Sequence, residues 1–228
     1  MSKEEITIPK GWELIKLGEY SNIIRGSSPR PAGDPLYFGG DIPWIKISDI
    51  TASKGKYLFS TKNGLTSQGV LKSRFLKSGS LILTTSMLIA MPKILKIDGC
   101  IHDGFLAVLN IDKKIYHEFL YYYFLNYRGI IEKENVEGTA IKNINTEVVK
   151  NLNVPLPSII IQKQIVVKLD HILGELEVKK KEILSLIEQN KERIDFFEKN
   201  WMSYVIDREI EQHPQRKEWE SKNLKDCV

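Results

Sequence analysis

Cysteine is scarce. The chain of 228 residues holds two, Cys100 and Cys227. They form no CxxC pair and no other metal-ligand spacing, which excludes a zinc ribbon or a disulfide scaffold. Two isolated thiols fit a reducing compartment. Histidine is sparse as well, with four residues scattered along the sequence. No apolar run reaches the length of a membrane span. The longest, Ser80 to Met91, contains Thr84, Thr85 and Ser86. No apolar segment follows the start Met1-Ser2-Lys3-Glu4-Glu5, so no secretory signal is visible and a cytoplasmic location is the default expectation. An excess of one charge is also lacking: 33 Lys and Arg face 29 Asp and Glu, a formal net charge of +4. That balance permits phosphate binding without demonstrating it.

Several catalytic signatures are absent too. There is no Walker A sequence, which excludes an ATP motor of that type. An adenine methyltransferase needs a glycine-bearing cofactor loop and an Asn/Asp-Pro-Pro-Tyr/Phe motif. The nearest approach, Asp34-Pro35-Leu36-Tyr37, lacks the second Pro. A nuclease wants clustered carboxylates with a nearby Lys to hold Mg²⁺. Glu177-Val178-Lys179 fits part of that pattern but falls in a helical stretch, where it reads as a solvated face. His102, beside Cys100 and Asp103, invites a Cys-His reading. Cys100-Ile101-His102-Asp103 reads more simply as a strand end and turn.

What the chain does hold divides near Pro155-Leu156-Pro157. Before that point, strand-like runs (Ile42 to Ile47, Ser80 to Ile89, Phe105 to Leu109) alternate with Gly-, Pro- and Asp-containing breakers. Helices are expected over His117 to Ile131 and Thr146 to Leu152. This is an α+β head. After it, Pro is absent from Ser158 to His213 and the single Gly is Gly174. Apolar residues recur at Ile165, Leu169, Ile172 and Leu176. They resume at Ile183, Ile187, Ile194, Phe197 and Trp201, with a phase shift between Leu176 and Ile187. A helix over 159–206 would run roughly 70 Å at ~1.5 Å per residue. Its stripe needs a partner helix, from another chain or another half of the same chain. Asn190 stands in the seam, as a register-fixing polar residue or an ordinary surface one.

The opening Lys10-Gly11-Trp12-Glu13-Leu14-Ile15-Lys16-Leu17-Gly18-Glu19 has a counterpart near the end, Lys217-Glu218-Trp219-Glu220-Ser221-Lys222-Asn223-Leu224-Lys225-Asp226. Lys, Trp, Glu and Leu recur at the same spacing. The expectation is a second repeat that begins within 211–228, making the chain one half of a tandem pair.

Together these segments resemble a known family. Ile8-Pro9-Lys10-Gly11-Trp12-Glu13 with Leu17-Gly18, Arg25-Gly26-Ser27-Ser28-Pro29 and Ile42-Pro43-Trp44-Ile45-Lys46-Ile47-Ser48-Asp49-Ile50 resemble parts of a target-recognition domain from a type I restriction–modification specificity subunit. So do Glu137-Gly138-Thr139-Ala140-Ile141-Lys142-Asn143-Ile144 and Val154-Pro155-Leu156-Pro157. Gln162-Lys163-Gln164-Ile165-Val166 with Leu169-Asp170 resembles the start of the family's conserved helix. There are departures: Ser158 replaces a second Pro, and Ile161-Gln162 replaces a Glu-Gln pair. The family's full subunit carries two recognition domains and two helices, whereas this chain has one of each.

The resemblance implies a head over 1–157 that reads one half of a bipartite double-stranded DNA target. It implies a spacer and dimerisation helix over 158–210 that pairs antiparallel as a coiled coil. Two modification subunits, which bind S-adenosylmethionine and methylate adenine, would dock on this scaffold, and restriction subunits would join them. The chain itself would be non-catalytic, without a cofactor or metal of its own. A half-length subunit is expected to form a homodimer through its helix.

Base edges are read by Arg, Lys, Asn, Gln, Ser and Thr, while other cations hold phosphates. Candidate DNA-binding residues are therefore Arg25, Ser27, Ser28 and Arg30, then Lys72 and Arg74, then Ser86, and finally Thr139, Lys142 and Asn143. A capped turn competes for Arg25 and Ser28. A solvated surface competes for Lys72, Arg74 and Lys77. Tyr121, Tyr122 and Tyr123 could stack on a base, but at helical spacing they fit a core. Candidate helix-pairing residues are Leu169, Ile172, Leu176, Ile183, Ile187, Asn190, Ile194, Phe197 and Trp201. Two alternatives stay open: a coiled-coil adaptor whose head binds protein, and a recognition domain shed from a single-chain restriction enzyme.

Overall fold

The structure, a computed structural model, describes residues 8–85, 89–136 and 144–212. The repeated motif at Lys217 to Asp226 lies outside the described residues. Among those described, the strands are β1 (Glu13–Lys16), β2 (Asn22–Arg25), β3 (Phe38–Ile45), β4 (Tyr57–Leu58), β5 (Asn63–Leu65) and β6 (Arg74–Leu76). They continue as β7 (Leu81–Thr84), β8 (Pro92–Leu95), β9 (Gly99–Ile101), β10 (Phe105–Leu109) and β11 (Asn153–Leu156). The helices are α1 (Ile47–Ala52), α2 (Ser67–Leu71), α3 (His117–Val136), α4 (Thr146–Lys150) and α5 (Ile159–Gln212). The α+β head followed by one long helix is the expected fold class.

Two main sheets stack in the head. One has the order β2-β10-β7-β8-β4, the other β5-β3-β9-β6, and β1 pairs with β11 separately. The sequence of β7 and β10 explains the stacking. Successive strand side chains point to opposite faces. Leu81, Leu83, Leu106 and Val108 enter one core with Leu120 and Phe124 of α3. Ile82, Phe105 and Ala107 enter a second core with Ile45, Ile50, Leu76 and Ile101. Both faces of the central sheet are buried, so its strands read as unbroken apolar runs. The tyrosines are core residues: Tyr121 is buried and Tyr122 and Tyr123 pack on the first cluster.

Two expected strands end early. The run Ile42 to Ile47 stops at Ile45 because α1 starts at Ile47. Asp49, buried at 4% exposure, accepts the Lys46 N–H at 2.8 Å and turns the chain. The run from Ser80 gives a strand only over Leu81–Thr84. The Ala90 N–H returns to the Thr84 carbonyl at 2.9 Å. Lys93 is buried and donates its ammonium to the carbonyls of Ser53 and Gly55, just past α1. Burial pushes its pKa down.

The chain divides into two compact units, one ending at Leu169 and the next starting at Asp170. The first turns of α5 thus belong to the head. Gln162 fixes them. It is fully buried, donates Nε2 to the carbonyls of Lys114 and Pro157 at 2.8 Å each, and accepts the Tyr116 N–H at 2.7 Å. Val166, one turn on, is buried in the first core. In the second unit the apolar positions Ile172, Leu176, Ile183, Ile187, Ile194, Phe197 and Trp201 are all exposed. Asn190 is exposed as well.

Gln162→Ala would strip the Tyr116 amide and two carbonyls of their partner in a dry site. The expected cost is about 2–3 kcal/mol, read by urea denaturation of the full chain. A loss below about 0.5 kcal/mol, within the usual range for an uninvolved surface site, would show that Gln162 does not fix the helix.

Candidate nucleic-acid interface

Strand pairing gathers several strand ends at one edge of the head. Arg25 ends β2 opposite Leu106, and Thr84 ends β7 opposite Phe105. Ile45 ends β3 beside Ile101, and Arg74 begins β6 opposite the same residue. All of these ends meet the turn His102-Asp103-Gly104 between β9 and β10.

The segment after β2 is zipped to that turn by its backbone. The Gly26 N–H donates to the Phe105 carbonyl at 2.9 Å, and the Ser27 N–H to the Ile101 carbonyl at 3.2 Å. This dipeptide therefore bridges the two main sheets. The approach is so close that a Cβ on Gly26 would stand 2.1 Å from the His102 carbonyl oxygen, which only glycine allows.

Side chains complete the cluster around Asp103. Arg25 Nε donates to the Asp103 carbonyl at 2.9 Å. Ser28 Oγ donates to Asp103 Oδ1 at 2.9 Å, and Arg30 stands 3.7 Å from Oδ2. Ser27 Oγ donates to the Lys72 carbonyl at 3.0 Å, and Ser73 Oγ donates back to the Ser27 carbonyl at 2.7 Å. His102 Nδ1 accepts the Gly104 N–H at 2.8 Å, so Nε2 carries the proton and faces Asp103 Oδ1 at 3.1 Å. Burial pushes the His102 pKa down. Asp103 opposes that shift, and the cations Lys46, Arg30 and Arg25 add to it.

Arg25, Ser28 and Arg30 thus converge on one turn, while Ser27 ties their segment to the Lys72 carbonyl and Arg74 begins the strand opposite Ile101. The capped-turn reading of Arg25 and Ser28 fits the geometry, since the guanidinium and the hydroxyl both bond Asp103 within the cluster. Arg30 stays 73% exposed, and Arg25, Lys72 and Arg74 are exposed too. Lys77 is engaged elsewhere, 2.7 Å from Asp98. Ser86, Thr139, Lys142 and Asn143 lie outside the described residues. Their described neighbours meet at the same edge: the Ile144 N–H donates to the Thr85 carbonyl at 3.1 Å, and the Thr85 N–H to the Gly104 carbonyl at 2.9 Å.

Sequence reasoning missed two features. Asp103 was read as part of a strand end and turn, as the structure has it, but not as the residue that gathers the Arg25–Arg30 segment around that turn. The second is an open cleft of about 520 Å³ beside the cluster, lined by Gly33, Phe38, Trp44, Lys46, Lys62 and Asn63 among others. No group of three or more His, Cys, Asp or Glu able to hold a metal occurs among the described residues. Nor is any described helix long and apolar enough to cross a membrane.

Residues 9–189 match the family described as "Type I restriction modification DNA specificity domain". The chain is 28% identical to the type I restriction enzyme MjaIX specificity subunit of Methanocaldococcus jannaschii, over 97% of this chain and 52% of that protein. It is 26% identical to the putative MjaX specificity subunit of the same organism, over 90% of this chain and 45% of that protein. The chain therefore spans about half the length of the curated relatives it matches. In fold it is similar to the HsdS subunit of Thermoanaerobacter tengcongensis, with TM-score 0.62 and 20% identity over 79% of this chain and 42% of that one. A chain from a structure describing complex assembly and conformational transition of the type I R-M system gives TM-score 0.63 and 19% identity over 79% of this chain and 43% of that one. By its match over residues 9–189, the chain belongs to the type I restriction–modification DNA specificity family.

Proposed function

We propose that the head reads one half of a bipartite DNA target through the cluster around Asp103. One observation carries the reading: Arg25, Ser28 and Arg30, expected from the sequence to contact DNA, meet at Asp103, and Ser27, Lys72 and Arg74 lie on the segments bonded beside them. Four of them, Arg25, Arg30, Lys72 and Arg74, are exposed cations. Ser27 and Ser28 hold the segment in place, so Arg25 and Arg30 leave a rigid base. Preorganised cations lose little freedom on binding phosphates or a guanine edge.

In this reading residues 1–157 form the recognition domain, residues 158–210 the spacer and dimerisation helix, and residues 211–228 the start of a second repeat. The chain carries no cofactor. S-adenosylmethionine belongs to modification subunits that dock on it, and restriction subunits join that core. The exposed apolar positions from Ile172 to Trp201 support pairing of α5 with a second copy. Each covered Ile, Leu or Phe contributes about 1.5–3 kcal/mol when fully buried. Two copies paired antiparallel would present two heads to a symmetric, interrupted site.

Arg25→Ala and Arg30→Ala are each expected to weaken duplex binding, by ~1–3 kcal/mol where the lost contact is bidentate to guanine. Fluorescence anisotropy with salt titration checks this. Unchanged affinity in both variants would remove the loop from the interface. Absence of any salt-dependent binding, with and without a modification subunit, would favour the protein-binding adaptor. Light scattering of the chain co-expressed with a modification subunit is expected to give two of each. A lone monomer, or a complex with one copy of this chain, would rule out pairing through α5.

A further inference from the structure

A buried acid holds the cleft beside the Asp103 cluster in place. The carboxylate of Asp49 accepts the backbone N–H of Lys46 at 2.8 Å and that of Lys62 at 3.2 Å. One buried acid thereby fixes the two residues that bring cations to the cleft. Neither ammonium forms an ion pair with a described acid; that of Lys46 rests over the Trp44 ring, 5.3 Å from its centre. Trp44 packs against Phe38 at 4.9 Å and against His102 at 5.9 Å. Its indole nitrogen is buried and has no hydrogen-bond partner among the described residues. Gly39 holds a φ of +90°, and a Cβ there would meet nothing within 4 Å. The cleft wall is therefore bare backbone at that point.

We infer that this cleft is a second contact site for duplex DNA, in which Lys46 and Lys62 hold phosphates of a strand that runs on from the Arg25–Arg30 loop. Three observations select this occupant. The charge is complementary, with two cations and the amide of Asn63 among the lining residues. The site is continuous with the loop, because Gly33 lines the cleft and His102 joins Trp44 to Asp103. The Phe38 and Trp44 rings are tilted by 52°, so they form no parallel slot for a flipped base. Asp49 is a positioning residue in this arrangement. The inference rests on the DNA-reading proposal above.

The test is the slope of log affinity against log salt for the full chain with a labelled mixed-sequence duplex. Each lost phosphate contact removes ~0.9 from that slope. Lys46→Ala with Lys62→Ala is expected to make it shallower by ~1.8, and Lys62→Ala alone by about half as much. Arginine at both positions should restore it, which a merely structural role would not require. Lys62 is exposed, so its single variant keeps the test open if the double variant fails to fold. A wild-type slope in the lysine variants, while Arg25→Ala and Arg30→Ala weaken binding, would overturn the cleft and leave the loop standing. A wild-type chain without salt-dependent binding would overturn both.

Discussion

The contact between Gly26 and the His102 carbonyl is the constraint on which the candidate interface depends. The Gly26 amide reaches the sheet that holds β10, and the Ser27 amide reaches the sheet that holds β9. The segment from Arg25 to Arg30 therefore lies across the seam between the two main sheets. Any Cβ at Gly26 would push it off the turn. Once the segment is seated, Ser28 and Arg25 find Asp103 from fixed positions, and Arg30 follows.

The energetics of the cluster suit a binding surface better than a structural knot. Arg30 and Asp103 are substantially exposed and 3.7 Å apart. Exposed pairs of this kind contribute at most about 1 kcal/mol. Exchanging Asp103 for a phosphate or a guanine edge then costs Arg30 little. The buried polar groups behave differently. Gln162 and Asp49 satisfy backbone donors in dry surroundings, and their loss is costly because those donors would stay unpaired. Stability thus rests on the buried polar groups, while the exposed cations at the edge hold only contacts that are cheap to exchange.

Much of this was legible in the sequence, for identifiable reasons. The run Phe105 to Leu109 gives its strand directly, because both faces of that strand are buried. The long helix follows from the absence of Pro and the apolar recurrence from Ile165 to Trp201. The loop at Arg25 to Arg30 stands out through its Gly, hydroxyls and cations. What stayed hidden was tertiary. Nothing local to Asp49 says that its carboxylate will reach Lys62, thirteen residues on. Nothing local to Asp103 says that a turn between β9 and β10 will meet a segment 75 residues earlier. β3 ends at Ile45 although the strand-like pattern continues to Ile47, because the buried Asp49 caps the Lys46 N–H and starts α1.

The central claim is that DNA meets the head at the Asp103 edge. β2 and β10 run antiparallel, so the segment at Ser28 and the residues after Leu109 sit at opposite ends of the same pair. Photoreactive p-benzoylphenylalanine placed at Ser28, and separately at exposed Lys113, gives a direct comparison. The account predicts cross-links to labelled duplex from position 28 and none from position 113. Equal cross-linking, or cross-links from position 113 alone, would contradict it.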